Sequence, residues 1–89
     1  MKILNFKEYR QGNLIGYFAV ELDNGLIIKG LSVHKKNNST WVAMPLHRFT
    51  TADGQESAQI LVHFSDKNKD KEFKEYAKQE LQRYLGKEI

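Results

Sequence analysis

The sequence predicts an α+β fold in which a curved antiparallel sheet of four to five strands precedes one C-terminal helix. Three observations predict it: apolar and polar residues alternate from Leu14 to Leu22, Asn24-Gly25 separates two apolar runs, and beyond Ser65 the apolar period lengthens from two to that of a helix. The expected organisation is a single domain over residues 1–89, with the sheet in 1–64 and the helix over about 66–85. A chain this short buries only about two-thirds of its unfolded surface, so self-association would add welcome burial.

A short first strand is expected around Ile3 to Tyr9, closed by Gln11-Gly12-Asn13. In the second, Leu14, Phe18, Val20 and Leu22 alternate with Tyr17, Ala19 and Glu21, as in a strand buried on one face. Asn24-Gly25 is the strongest short hairpin signal, because both central residues of a type I′ turn require positive φ. Leu26 to Lys36 is then the returning strand, Asn37-Asn38-Ser39 a second turn, and Trp41-Val42-Ala43-Met44 a further strand. Pro45 has no amide hydrogen for a ladder and belongs at a strand end, edge or bulge. A loop through Asp53-Gly54 leads to Ile60-Leu61-Val62-His63-Phe64 as the last strand.

Phe73, Tyr76, Ala77, Leu81, Tyr84 and Leu85 form one helical stripe, with Ser65 or Asp66 as cap and Gly86 at the stop. Asp70 with Lys74, and Lys71 with Glu75, are spaced for ion pairs on the opposite face.

With no cysteine, the chain has no disulfide framework, thiolate metal site or thiol nucleophile, and a cytoplasmic setting is expected, the host cytoplasm if the source is a phage. There is no apolar run of membrane-span length and no export signal. His34, His47 and His63 are far apart and outside metal-ligand spacings, and no nucleophile elbow or phosphate loop is present. The expectation is a protein that is not an enzyme and takes no cofactor, metal or small-molecule substrate.

The distribution of charge points further than its formal total of +3. Asn24 to Ala52 contains no Asp or Glu, where the average density of 11 acids in 89 residues would place three or four. Lys29, His34, Lys35, Lys36, His47 and Arg48 occupy that stretch together with Trp41 and Phe49. Cations neutralise phosphates and release counterions, while aromatic faces stack on unpaired bases, so the combination selects for single-stranded nucleic acid. The plain structural reading is a β-rich domain that keeps its acids in turns and in the helix.

Within this reading the candidate binding residues are Tyr17, Lys29, Lys35, Lys36, Trp41, His47, Arg48 and Phe49. Tyr17 and Lys29 share a face if the Asn24-Gly25 turn is a three-residue loop, and do not with a two-residue one. Trp41 opens a strand after a polar turn and is either a lid on the core edge or a stacking platform. His47-Arg48-Phe49 joins charge and ring in an expected loop, a common setting for function. Lys35-Lys36 could contact phosphate or simply end a soluble hairpin, and the helix lysines, interspersed with acids, read as a solvated face.

Trp41-Val42-Ala43-Met44-Pro45-Leu46-His47-Arg48, with Gly25-Leu26-Ile27-Ile28 and a strand through Val33 before it, resembles the VAMP strand and following basic loop of the SpoVG family of small bacterial DNA-binding regulators. The order of strands then helix is also similar to the single-stranded-DNA-binding domain of the transcriptional coactivator positive cofactor four, which has bacterial and phage relatives. That second resemblance implies a homodimer joined through the C-terminal helix and the sheet, whose curved sheets form a channel for unpaired strands. It implies Tyr17, Lys29, Lys35, Trp41 and Arg48 as the lining. Two departures are visible: Leu46 to Gln59 is long for the coactivator pattern, and the C-terminal extension of SpoVG is not present.

The expected function is thus binding of single-stranded DNA by a homodimer, without strong sequence preference, in replication, recombination or transcription. The alternatives are a protein–protein interaction module that uses an open apolar sheet face, and an RNA-binding regulator.

Overall fold

The computed structural model describes residues Met1–Ile89. Strands β1 (Lys2–Gln11), β2 (Leu14–Glu21), β3 (Ile27–Lys36) and β4 (Ser39–Ala43) form an antiparallel meander in that order. Strands β5 (Leu46–Thr50) and β6 (Glu56–Ile60) form a separate two-stranded hairpin, and helix α1 (Lys67–Leu85) follows. The fold is the α+β sheet-then-helix that the periodicity predicts.

The turns follow their residues. Gly12 at φ 60° closes β1 to β2, where Gln11 faces Leu14. Between β2 and β3 the Gly25 amide donates to the Leu22 carbonyl and the Leu22 amide to the Leu26 carbonyl, both at 2.8 Å. The connection is therefore a three-residue loop, Asp23-Asn24-Gly25, with Gly25 alone at positive φ (88°). It replaces the type I′ turn that Asn24-Gly25 predicts.

Two bulges decide which side chains face the helix. Leu14 pairs with His34 and Gly16 with Val33, so Ile15 is an extra residue that turns inward to the core. Phe18 pairs with Leu31 and Val20 with Ile28, leaving Lys29 and Gly30 together opposite Ala19. Each bulge shifts the alternation by one and exchanges faces. Leu14 thereby reaches the open face, while Ile15, Phe18, Val20, Ile28, Leu31, Val33 and Val42 cluster on the helix side. Gly16 permits β1 to lie close, because a Cβ there would meet the Lys7 carbonyl oxygen at 2.5 Å and the Phe6 ring at 2.8 Å.

Helix α1 packs on β4 and β1 with Ala77 and Leu81 fully buried and Phe73 and Leu85 partly so. Tyr76 and Tyr84, expected in the same stripe, stay exposed at its margin. Asp66 is the cap: its carboxylate accepts from the amides of Asn68 (2.8 Å) and Lys69 (3.4 Å). Gly86, at φ 73°, donates back to the Gln82 and Arg83 carbonyls and ends the helix. The Asp70–Lys74 pair forms at 2.7 Å, whereas Glu75 pairs with Lys78 at 3.0 Å rather than with Lys71.

The segment after Pro45 differs from expectation. Leu46 to Gln59 is an antiparallel arm rather than a long loop, with Leu46 opposite Ile60 and Thr50 opposite Glu56. His47, Arg48 and Phe49 therefore lie on a strand. Thr51 and Asp53 are joined by a side-chain hydrogen bond in the tip, and Gly54 takes φ 85°. The last strand stops at Ile60, so Leu61 to Phe64 connect to the helix without joining a sheet. Every residue of β5 and β6 is exposed, and neither face of the arm carries the buried period that marks a strand in sequence.

Candidate nucleic-acid interface

The sheet face turned away from α1 is uncovered, and the arm rises along one side of it. Pro45 fixes that position by packing against Gly30, whose left-handed backbone (φ 85°) bulges β3 toward it; a Cβ at Gly30 would lie 3.6 Å from the Pro45 Cβ. Between sheet and arm runs a groove of about 780 Å³. Tyr17, Ser32, His34, Trp41 and Ala43 line it from the sheet, and Leu46 and Arg48 from the arm. Gln11 and Asn13 add amides at one end, and no lining residue is acidic.

Pairing register explains which side chains meet here. Lys7, Tyr17, Ser32 and Ala43 form one row across the four strands, and Leu14, His34 and Trp41 form another. Trp41 and His34 are stacked nearly parallel, centroids 5.6 Å apart at 9°. Ser32 Oγ and His34 Nε2 are hydrogen-bonded at 2.9 Å, which anchors the imidazole from below. Partial burial depresses the His34 pKa below its ordinary 6.5, so the ring is neutral at pH 7 and presents a face rather than a charge. Tyr9 lies beside Tyr17 with ring centroids 6.3 Å apart. The result is two aromatic platforms on one open sheet face. Trp41, at 40% exposure, belongs to that face and not to the core.

The predicted residues separate into five places. Tyr17, Trp41 and Arg48 converge on the groove. His47 and Phe49 alternate with Arg48 along β5 and so occupy the other face of the arm, stacked on each other at 6.0 Å. Lys29 is exposed in the β3 bulge, outside the groove, and Lys36 sits at the β3–β4 turn opposite Ser39. Lys35 is on the helix side of the sheet, in a cleft with Glu8, Arg10, Leu85 and Lys87, and so does not line the groove. The reason is alternation: Lys35 follows His34, and consecutive strand residues point to opposite faces.

Ser32, Lys7 and Tyr9 are the residues that charge counting passes over, and His34 is one it includes without singling it out. Lys7 and Tyr9 lie outside the acid-free stretch, and only their alternation with the apolar positions of β1 marks them. Ser32 and His34 have the separation of a nucleophile and its base, but no carboxylate lines the groove to orient the imidazole, and the pair reads as a tie between neighbours on one strand. No group of three or more His, Asp or Glu side chains is placed to hold a metal ion, and no helix is long and apolar enough to cross a membrane.

The chain matches no protein-family model, no curated protein and no solved structure.

Proposed function

We propose that this protein binds single-stranded DNA in the groove between its open sheet face and the β5–β6 arm, as a homodimer and without strong sequence preference. The supporting observation is the groove itself, acid-free, with Tyr17 and the Trp41–His34 stack on its floor and Arg48 on its wall. Stacking on a fixed ring tolerates any base, since every base has a π face, and a single guanidinium ties down the backbone without reading sequence. Lys7 and Lys36 extend the positive surface on the same sheet face as Tyr17 and His34. Duplex DNA has no free base faces to offer these rings. A labelled unstructured oligothymidine should bind about tenfold or more tightly than the same length of duplex, given roughly 1–3 kcal/mol per stacked base. Equal affinity for the two in a fluorescence-anisotropy titration refutes the reading.

The homodimer is tied to a different surface from the one the helix stripe implies. Ala77 and Leu81 are already covered by the protomer's own sheet, and exposed apolar side chains outside the groove include Phe49, Ile60, Leu61 and Phe64, on the arm and at its base. A two-stranded hairpin is marginal in water by itself, and a second copy against this area would steady it. Sedimentation at micromolar concentration should give twice the 10.4 kDa of one chain. A single-chain mass across that range removes the dimer.

The same four residues favour one other reading, a protein-binding module whose apolar arm docks on a different protein. Salt separates the two: phosphate contacts weaken steeply as salt rises, and an apolar contact does not.

A further inference from the structure

Trp41 borders two cavities. One is the groove; the other is a cleft of about 390 Å³ on the helix side of β4, shared with Val42, Lys67, Asp70, Lys71, Lys74 and Glu75. The ring therefore stands at the rim of the sheet, on the short edge strand β4, with a basic helix face directly beyond it. The charges in that cleft are not evenly paired. Asp70 holds Lys74 at 2.7 Å and also accepts the Phe64 amide at 3.2 Å, and Glu75 holds Lys78 at 3.0 Å. Lys67 and Lys71, one turn apart on the helix, have no acidic partner.

We infer that the bound strand does not end at the groove but crosses the sheet edge over Trp41 and lays its next phosphates on Lys67 and Lys71. This rests on the single-strand reading above and adds its path. Both lysines line the cleft together with the one aromatic ring that the groove and the cleft have in common, and the acids beside them are already paired with other lysines. The helix lysines, which look like a solvated face in the sequence, become part of the binding surface because β4 brings Trp41 next to them. A polyanion is the occupant this arrangement fits, since the groove holds Arg48 and no acid, and the three lysines of the cleft outnumber Asp70 and Glu75.

The test is the variant Lys67→Gln/Lys71→Gln, titrated with oligothymidines of roughly four and roughly twelve nucleotides, a range that brackets short and extended occupancy. Both side chains are exposed on the helix surface, and the four-nucleotide ligand doubles as a check that the groove is intact. For the longer ligand, loss of two contacts lowers the slope of log K against log salt by about 1.4, and the affinity at ~0.1 M salt by about 25-fold. The shorter ligand, confined to the groove, binds the variant and the parent alike. If the twelve-nucleotide ligand keeps its parental affinity and slope, the path over Trp41 is wrong while groove binding stands. If the parent binds neither oligonucleotide, both the path and the single-strand reading fall together.

Discussion

Trp41→Ala should lower the affinity for an unstructured oligothymidine by about 5- to 150-fold, the ~1–3 kcal/mol that base stacking on an aromatic ring contributes, with the salt slope unchanged. Three features make Trp41 the position of largest effect on binding. Its ring is 40% exposed on the open face, so its removal leaves no hole in the core. It is held in one orientation by His34, itself tied to Ser32, so little rotamer freedom is lost when a base settles on it. It is also the ring at which groove and helix cleft meet. Because it is the chain's single tryptophan, quenching of its fluorescence on titration reports contact directly. Arg48→Ala is the complementary control: a lost phosphate contact lowers the slope by about 0.7, which a lost ring does not. Trp41→Ala at parental affinity would show that the groove is not where the strand lies, and the protein-binding reading would take its place.

How far the sequence led can be traced residue by residue. The meander and the helix were legible because each buries one face, so Phe18 and Val20 in β2 and Ala77 and Leu81 in α1 repeat at the period of their element. The arm was not legible, since neither of its faces is covered and its residues have no burial period to display. The bulges at Ile15 and at Lys29-Gly30 were equally hidden. Each is a one-residue slip, and such a slip moves Leu14 to the groove and Ile15 to the core without altering composition. The candidate site divides in the same way. Tyr17, Trp41 and Arg48 were reachable from the acid-free stretch, but charge counting could not separate Lys35 from His34, neighbours in sequence that lie on opposite faces of β3. It did include His34, but as a cation, whereas the residue faces the groove as a neutral ring stacked on Trp41.

The largest effect on stability is expected at Leu81. Its side chain is fully buried in the cluster that joins α1 to the sheet, with Ala77 one turn away and Val33 and Val42 in the same cluster. Leu81→Ala should cost about 2–5 kcal/mol, the transfer term plus the cavity that a close-packed interface cannot collapse to fill. A domain of 89 residues has roughly 4–13 kcal/mol in total, at about 0.05–0.15 per residue, so the loss ranges from a substantial fraction to all of it. Tyr84→Ala, on the same helix but with half of its surface still in water, should cost no more than about 1 kcal/mol, because its loss opens no cavity in the core. Leu81→Met, which nearly conserves volume, should fall between the two at less than about 1.5 kcal/mol. Urea denaturation followed by circular dichroism measures all three, with a constant m-value showing that only stability has changed. The helix also carries Lys67 and Lys71 to the edge of β4, so a partly undocked α1 should weaken twelve-nucleotide binding before four-nucleotide binding. A Leu81→Ala midpoint equal to that of Tyr84→Ala would mean that α1 does not pack on β4 and β1 through this stripe, and the helix lysines would then have no fixed place beside Trp41.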